Sequence, residues 1–173
     1  MGYAIVLIMR KTFEGSDTFE GRVAYARKVA TLTKDLMDLP EGGKYYEDFD
    51  EEYDNVFIRF ADYFSLRVLQ NMMVLESVDK WWTFMGNDHL SESTRSVFQK
   101  FIDRIQPEDC WIGTDYATDQ ICDVEVGFEE WLDDVLKMNG PIEEFDFERI
   151  FEGLKNDVWP DYLYHVKNNN LFC

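Results

Sequence analysis

The sequence predicts an α+β fold that is predominantly helical, with about five or six helices and two or three short strands in a single compact domain over residues 1–173. Three observations carry this. Apolar residues recur at steps of three and four along most of the chain, the spacing of a helix face. The run Tyr-Ala-Ile-Val-Leu-Ile-Met at residues 3–9 is instead continuously apolar, β-branched and short. Between Glu108 and Gly127 the pattern changes to period two.

The N-terminal run reads as a strand buried on both faces, because its length suits a strand better than a helix. Ser16, Asp17 and Thr18 follow as N-cap candidates, with Glu20 in capping-box relation to Asp17. Tyr25, Val29, Leu32, Leu36 and Leu39 then make a helical stripe that Pro40 and Gly42-Gly43 end. Phe57, Ala61, Phe64, Val68, Met72 and Leu75 predict a long second helix. Val78, Trp81, Trp82 and Met85 prolong it up to Gly86-Asn87, making it the spine of the domain.

A third helix is expected from Ser91 or Ser93 to Pro107, with Val97, Phe98, Phe101, Ile102 and Ile105 on its apolar side. Ile121–Val126 alternates, Cys122, Val124 and Val126 against Asp123 and Glu125, as a half-buried strand does. Cys110-Trp111-Ile112 would pair with it or with the N-terminal run. Phe128, Leu132, Val135 and Met138 mark a fourth helix stopped by Gly140-Pro141. Phe147, Ile150, Phe151, Leu154 and Val158 mark a fifth before Pro160, and a short amphipathic piece runs from Tyr162 to Val166.

The 173 residues are 46% apolar and 16% aromatic, which excludes global disorder and low-complexity architectures. No apolar run approaches the roughly 20 residues of a membrane span. Arg10 and Lys11 follow the first run where a signal peptide would have small residues, so a cytoplasmic protein is expected. Cys110, Cys122 and Cys173 include no CxxC pair. Cys110 and Cys122 would pair only on adjacent strands; reduced, partly buried thiols are the expectation.

Acidic residues number 35 against 17 basic, a net charge of −18. Residues 1–40 carry six basic and five acidic groups, so the imbalance belongs to the rest of the chain. It concentrates in two stretches. One is Glu47, Asp48, Asp50, Glu51, Glu52 and Asp54, interleaved with Tyr45, Tyr46, Phe49 and Tyr53. The other holds Glu129, Glu130, Asp133 and Asp134, followed by Glu143, Glu144, Asp146, Glu148 and Glu152. Glu130, Asp133 and Asp134 stand at i, i+3 and i+4, where like charges crowd one helix face. Such surfaces keep a protein soluble, but solubility needs a net charge of only about 2–8 in a small domain. The surplus, and the tyrosines within it, point to a surface built for a basic partner.

Direct binding to nucleic acid is not expected, since phosphate contacts draw on a surplus of Lys and Arg. No EF-hand register, HExxH, GxSxG, GxxxxGK or GxGxxG occurs, and His89 and His165 belong to no metal-binding spacing. No catalytic residue, metal or cofactor is therefore assigned. Trp81-Trp82 is read as core beside Val78 and Met85.

The profile is similar to two groups of small acidic proteins: phage-encoded nucleic-acid mimics that block restriction or CRISPR nucleases, and bacterial immunity proteins that cover toxin active sites. This resemblance is one of composition, carried by no single residue. The expected function is a non-enzymatic inhibitor or binding protein that docks on the basic, nucleic-acid-binding surface of an enzyme or toxin. Its partner-binding residues would be Tyr46, Glu47, Asp48, Asp50, Glu51, Glu52, Tyr53 and Asp54, with Glu130, Asp133, Asp134, Glu143 and Glu144 as a second stripe. Two rival readings are a small hydrolase or metal-dependent enzyme using a carboxylate pair, and a structural or assembly subunit.

Overall fold

The strand expected at the N terminus is the centre of the molecule. The computed structural model describes residues 4–37, 45–60, 64–78, 81–85, 93–115, 117, 127–160 and 163–172. In it β1 (Ile5–Arg10) pairs antiparallel on both sides, and its first five residues are buried. Its alternation splits the core in two. Ile5, Leu7 and Met9 enter one apolar cluster, and Val6 and Ile8 enter another on the opposite face.

Among the described residues, eight strands form one sheet. After β1 come β2 (Tyr46–Asp50), β3 (Asn55–Phe60), β4 (Phe64–Leu69), β5 (Met72–Ser77), β6 (Asp109–Thr114), β7 (Glu143–Glu144) and β8 (Leu163–His165). Their order is β2-β3-β4-β5-β1-β6-β8-β7, antiparallel except for the β7–β8 pair. Residues in register share a face, so a row can be followed across the sheet: Asp48, Phe57, Arg67, Val74, Ile8, Trp111 and His165.

This overturns the expectation of a predominantly helical fold with two or three short strands. The long helix read over residues 57–85 is a meander of β3, β4 and β5, followed by a single-turn helix α2 (Trp81–Met85). Steps of four are multiples of two, so they fit a strand as well as a helix. The five described residues of that stripe do not share a face. Register puts Phe57 and Met72 on the Ile8 side, and Phe64, Val68 and Leu75 on the Leu7 side. The decisive local signals were turns. Asp50 Oδ1 accepts from the backbone N–H groups of Glu52 and Tyr53 at 3.0 and 3.3 Å, which closes the β2–β3 hairpin. Gln70-Asn71 joins β4 to β5, and both Asp54 and Asn71 take the left-handed backbone, at φ 48° and 54°.

The other helices lie close to where their spacing put them. They are α1 (Phe19–Thr33), α3 (Ser93–Ile105), α4 (Phe128–Asn139) and α5 (Phe147–Lys155). The cap of α1 is Thr18 rather than Asp17: its Oγ1 accepts from the Gly21 N–H at 3.1 Å, so Glu20 is not at the capping-box position. Gly21 is required, since a Cβ there would collide with the Gly15 carbonyl. Gly140 ends α4 at φ 77°, as the Gly-Pro stop implied. The strand expected at 121–126 lies outside the described residues, and Cys110-Trp111-Ile112 pairs with β1.

α1, α2, α3 and α5 cover the Leu7 face, where Ala26, Val29, Phe84, Phe98, Phe101 and Leu154 pack. α4 covers part of the Ile8 face through Phe128, Trp131 and Val135, all buried against Trp111 and Leu163. Trp81 is core as expected, edge-on to Phe84 and Tyr164 at 5.7 and 6.2 Å. No helix among the described residues is long and apolar enough to cross a membrane.

Candidate partner-docking surface

The first acidic stretch is the edge hairpin of the sheet. β2 pairs only with β3 among the described residues, and four of its five residues are exposed. Alternation sends Tyr46, Asp48 and Asp50 to the Ile8 face and Glu47 and Phe49 toward α1. Each acid then meets a different environment.

Glu47 is held by Arg27 of α1, Nε and Nη2 donating to its two oxygens at 2.9 and 2.8 Å. The same guanidinium lies 5.3 Å from the Phe49 ring centre. This fork, the stronger form of carboxylate pairing, holds the Glu47 carboxyl below its ordinary value. Asp48 accepts from Arg59, its diagonal neighbour on β3, at 3.1 Å. Asp50 serves the turn. Asp54 pairs with Arg22, a buried residue of α1 whose Nη1 also donates to the Ser16 carbonyl at 2.9 Å.

Three of the six carboxylates therefore sit beside arginines, and the local charge of the hairpin with Arg22, Arg27 and Arg59 is −3 rather than −6. The groups turned outward are Glu51, Glu52, Tyr46 and Tyr53, the tyrosines 68% and 69% exposed.

The second stripe is laid out differently. On α4, Glu130, Asp133 and Asp134 face solvent because Phe128, Trp131 and Val135 take the sheet side. Glu129 and Glu130 stand in the first turn, where the helix dipole favours them. Glu129 binds Arg10 at 2.8 Å, and Asp134 has Lys137 at 3.4 Å. Glu143 and Glu144 form β7, pairing with Arg149 at 2.6 Å and Lys167 at 3.3 Å. β2 and β7 are opposite ends of the strand order, so seven strand spacings, about 33 Å, separate them. The fold does not bring Glu143 and Glu144 to the tyrosine-bearing hairpin. The arginines that pair with it were not legible in the sequence: Arg22 is 32 residues from Asp54 and Arg27 is 20 from Glu47.

Elsewhere, His165 Nε2 lies 2.5 Å from Asp109 Oδ1 and its ring packs on Trp111 at 5.5 Å. Cys110 is on the opposite face of the sheet from this pair, since neighbours on β6 alternate. Burial, with Asp109 second, pushes its thiol up to about 12, which removes the thiolate that nucleophilic chemistry needs. His89, Cys122 and Cys173 lie outside the described residues. Among the described residues no group of three or more His, Cys, Asp or Glu side chains is placed to hold a metal ion. No family model, curated protein or solved structure matches this chain.

Proposed function

We propose that this is a non-enzymatic binding protein of the cytoplasm that docks its acidic edge hairpin on a basic, nucleic-acid-binding surface of another protein. One observation carries the reading: Tyr46 and Tyr53 on the β2–β3 hairpin are both about two-thirds exposed, and Glu51 and Glu52 of its turn are exposed next to Tyr53. Exposed tyrosines beside carboxylates combine interface anchors with long-range attraction for a cationic surface. Asp48 and Asp50 stand on the same side of β2 as Tyr46, while Glu47 and Asp54 rigidify the hairpin through Arg27 and Arg22. Glu130, Asp133 and Asp134 add to the field that steers encounter. In this reading carboxylates stand where a nucleic acid would offer phosphates, as in anti-defence or immunity proteins.

The test is affinity capture from lysate on the immobilised chain, eluted with salt in one arm and with duplex DNA in the other. A basic protein released by both, and lost by the folded variants Glu51→Lys with Glu52→Lys and Tyr46→Ala with Tyr53→Ala, is the expected result. A partner retained unchanged by both variants, or one indifferent to DNA, would overturn the assignment.

A further inference from the structure

Away from the hairpin, a cleft of about 530 Å³ opens between the loop after β1, one side of α1 and the last turn of α3. That volume falls within the roughly 300–1,000 Å³ of small-molecule sites. Ala24, Val29, Leu32 and Ile105 give it an apolar floor. Phe13 and Tyr25 form an aromatic wall in which each ring covers one face of the other, at 3.9 Å and 6°. Three cations, Lys11, Lys28 and Arg104, converge on it.

Two of those cations are held in place. Lys11 Nζ donates to the Gln106 carbonyl at 2.8 Å. Arg104 donates to the Leu32 carbonyl at 2.6 Å and to Asp35 at 2.7 and 3.1 Å. An ammonium has three donors and a guanidinium five, so both keep N–H groups for a ligand. The carboxylates around the cleft are Glu14 in its lining, Asp35, and Glu108, whose oxygens accept from the Thr12 N–H at 3.0 Å each. Arg104 neutralises Asp35, which leaves Lys11 and Lys28 to face Glu14 and Glu108. Burial, with Glu108 second, pushes the Tyr25 hydroxyl up to about 12, so it stays a donor at neutral pH.

We propose that this cleft binds a small planar anion, an aromatic or heteroaromatic ring bearing a carboxylate or phosphate group. The ring would lie against the Phe13–Tyr25 wall and the anionic group would take the free donors of Lys11, Lys28 and Arg104. In a chain of net charge −18 most of the surface repels such a ligand. Residues 1–40, which supply all of the lining except Arg104 and Ile105, have no acidic excess. The site is independent of the docking hairpin.

Titration of the isotope-labelled chain with AMP and, separately, with 2-naphthoate tests this by NMR. Saturable shifts are expected at residues 11–14, 25–28 and 104, at least tenfold weaker in Lys28→Glu. Ala24→Trp, made at an exposed helix position that lines the cleft, should abolish them. Adenosine, which lacks the charge, should bind at least tenfold more weakly than AMP. Absence of saturable binding by both anions at millimolar concentration overturns the proposal, as does binding that Ala24→Trp and Lys28→Glu leave unchanged. Glu51→Lys with Glu52→Lys should not alter this binding, so the two readings fail separately.

Discussion

Arg22 and Asp54 tie the acidic hairpin to the first helix through an ion pair whose two ends differ in burial: the arginine side chain is 6% exposed and the aspartate 35%. Asp54 is also one of the few non-glycine residues here with positive φ, a conformation that Asn tolerates as well. Asp54→Asn therefore removes the charge and keeps the turn. Breaking a fully buried pair costs about 3–5 kcal/mol, and the partial exposure of Asp54 reduces this to about 2 kcal/mol. Urea unfolding of the variant should show that loss; a change under about 0.5 kcal/mol, the usual surface-substitution range, would mean the pair does not anchor the hairpin.

The Arg27–Glu47 fork has a pH signature. Because the folded carboxyl is held below its ordinary value of 4.5, its contribution is complete above that value. It is lost as the pH falls through the lowered folded value. Glu47→Gln should accordingly unfold earlier than the parent at neutral pH, with the difference closing in acid. Thermal midpoints measured across the acid range check this, and a gap that widens in acid would contradict the sign.

Trp131 anchors α4 to the sheet. It is 1% exposed, and its Nε1 donates to the Ala117 carbonyl at 3.1 Å. Trp131→Ala should cost about 3–5 kcal/mol, the range for large aromatic truncations in a core. Trp131→Phe keeps most of the packing and loses mainly the hydrogen bond, about 1 kcal/mol. Denaturant midpoints of the two variants should fall in that order.

Cys110 should resist alkylation in the native state at pH 8, since burial and Asp109 hold its thiol at about 12. Peptide mapping after iodoacetamide treatment should find it modified only once the chain is unfolded. Rapid native labelling would mean that β6 opens readily.

The legible parts of the fold were those whose signals are local. Thr18, Gly140 and the stripe Phe98, Phe101, Ile102 and Ile105 act within a turn or two of helix, and α1, α3 and α4 follow from them. Residues 55–77 were misread for a physical reason. β5 is buried on both faces, all but Glu76 of its six residues, so it shows no alternation. The turns at Asp50–Asp54 and Gln70-Asn71 contain no glycine or proline to announce them. At the candidate surface, both acidic stretches and the exposure of Tyr46 and Tyr53 could be read in advance. The neutralisation of Glu47, Asp48 and Asp54 could not.

By itself the sequence determined the charge balance, the apolar strand at the N terminus and the glycine stop of α4. Tertiary structure alone decided that a supposed spine helix is three strands, that the first acidic stretch and Glu143-Glu144 of the second lie at opposite edges of the sheet, and which carboxylates remain unneutralised. Helix spacing and capping are set by neighbours a few residues apart. Strand register and the pairing of Arg22 with Asp54 are settled only when distant segments meet, because their free energy comes from contacts that close long loops.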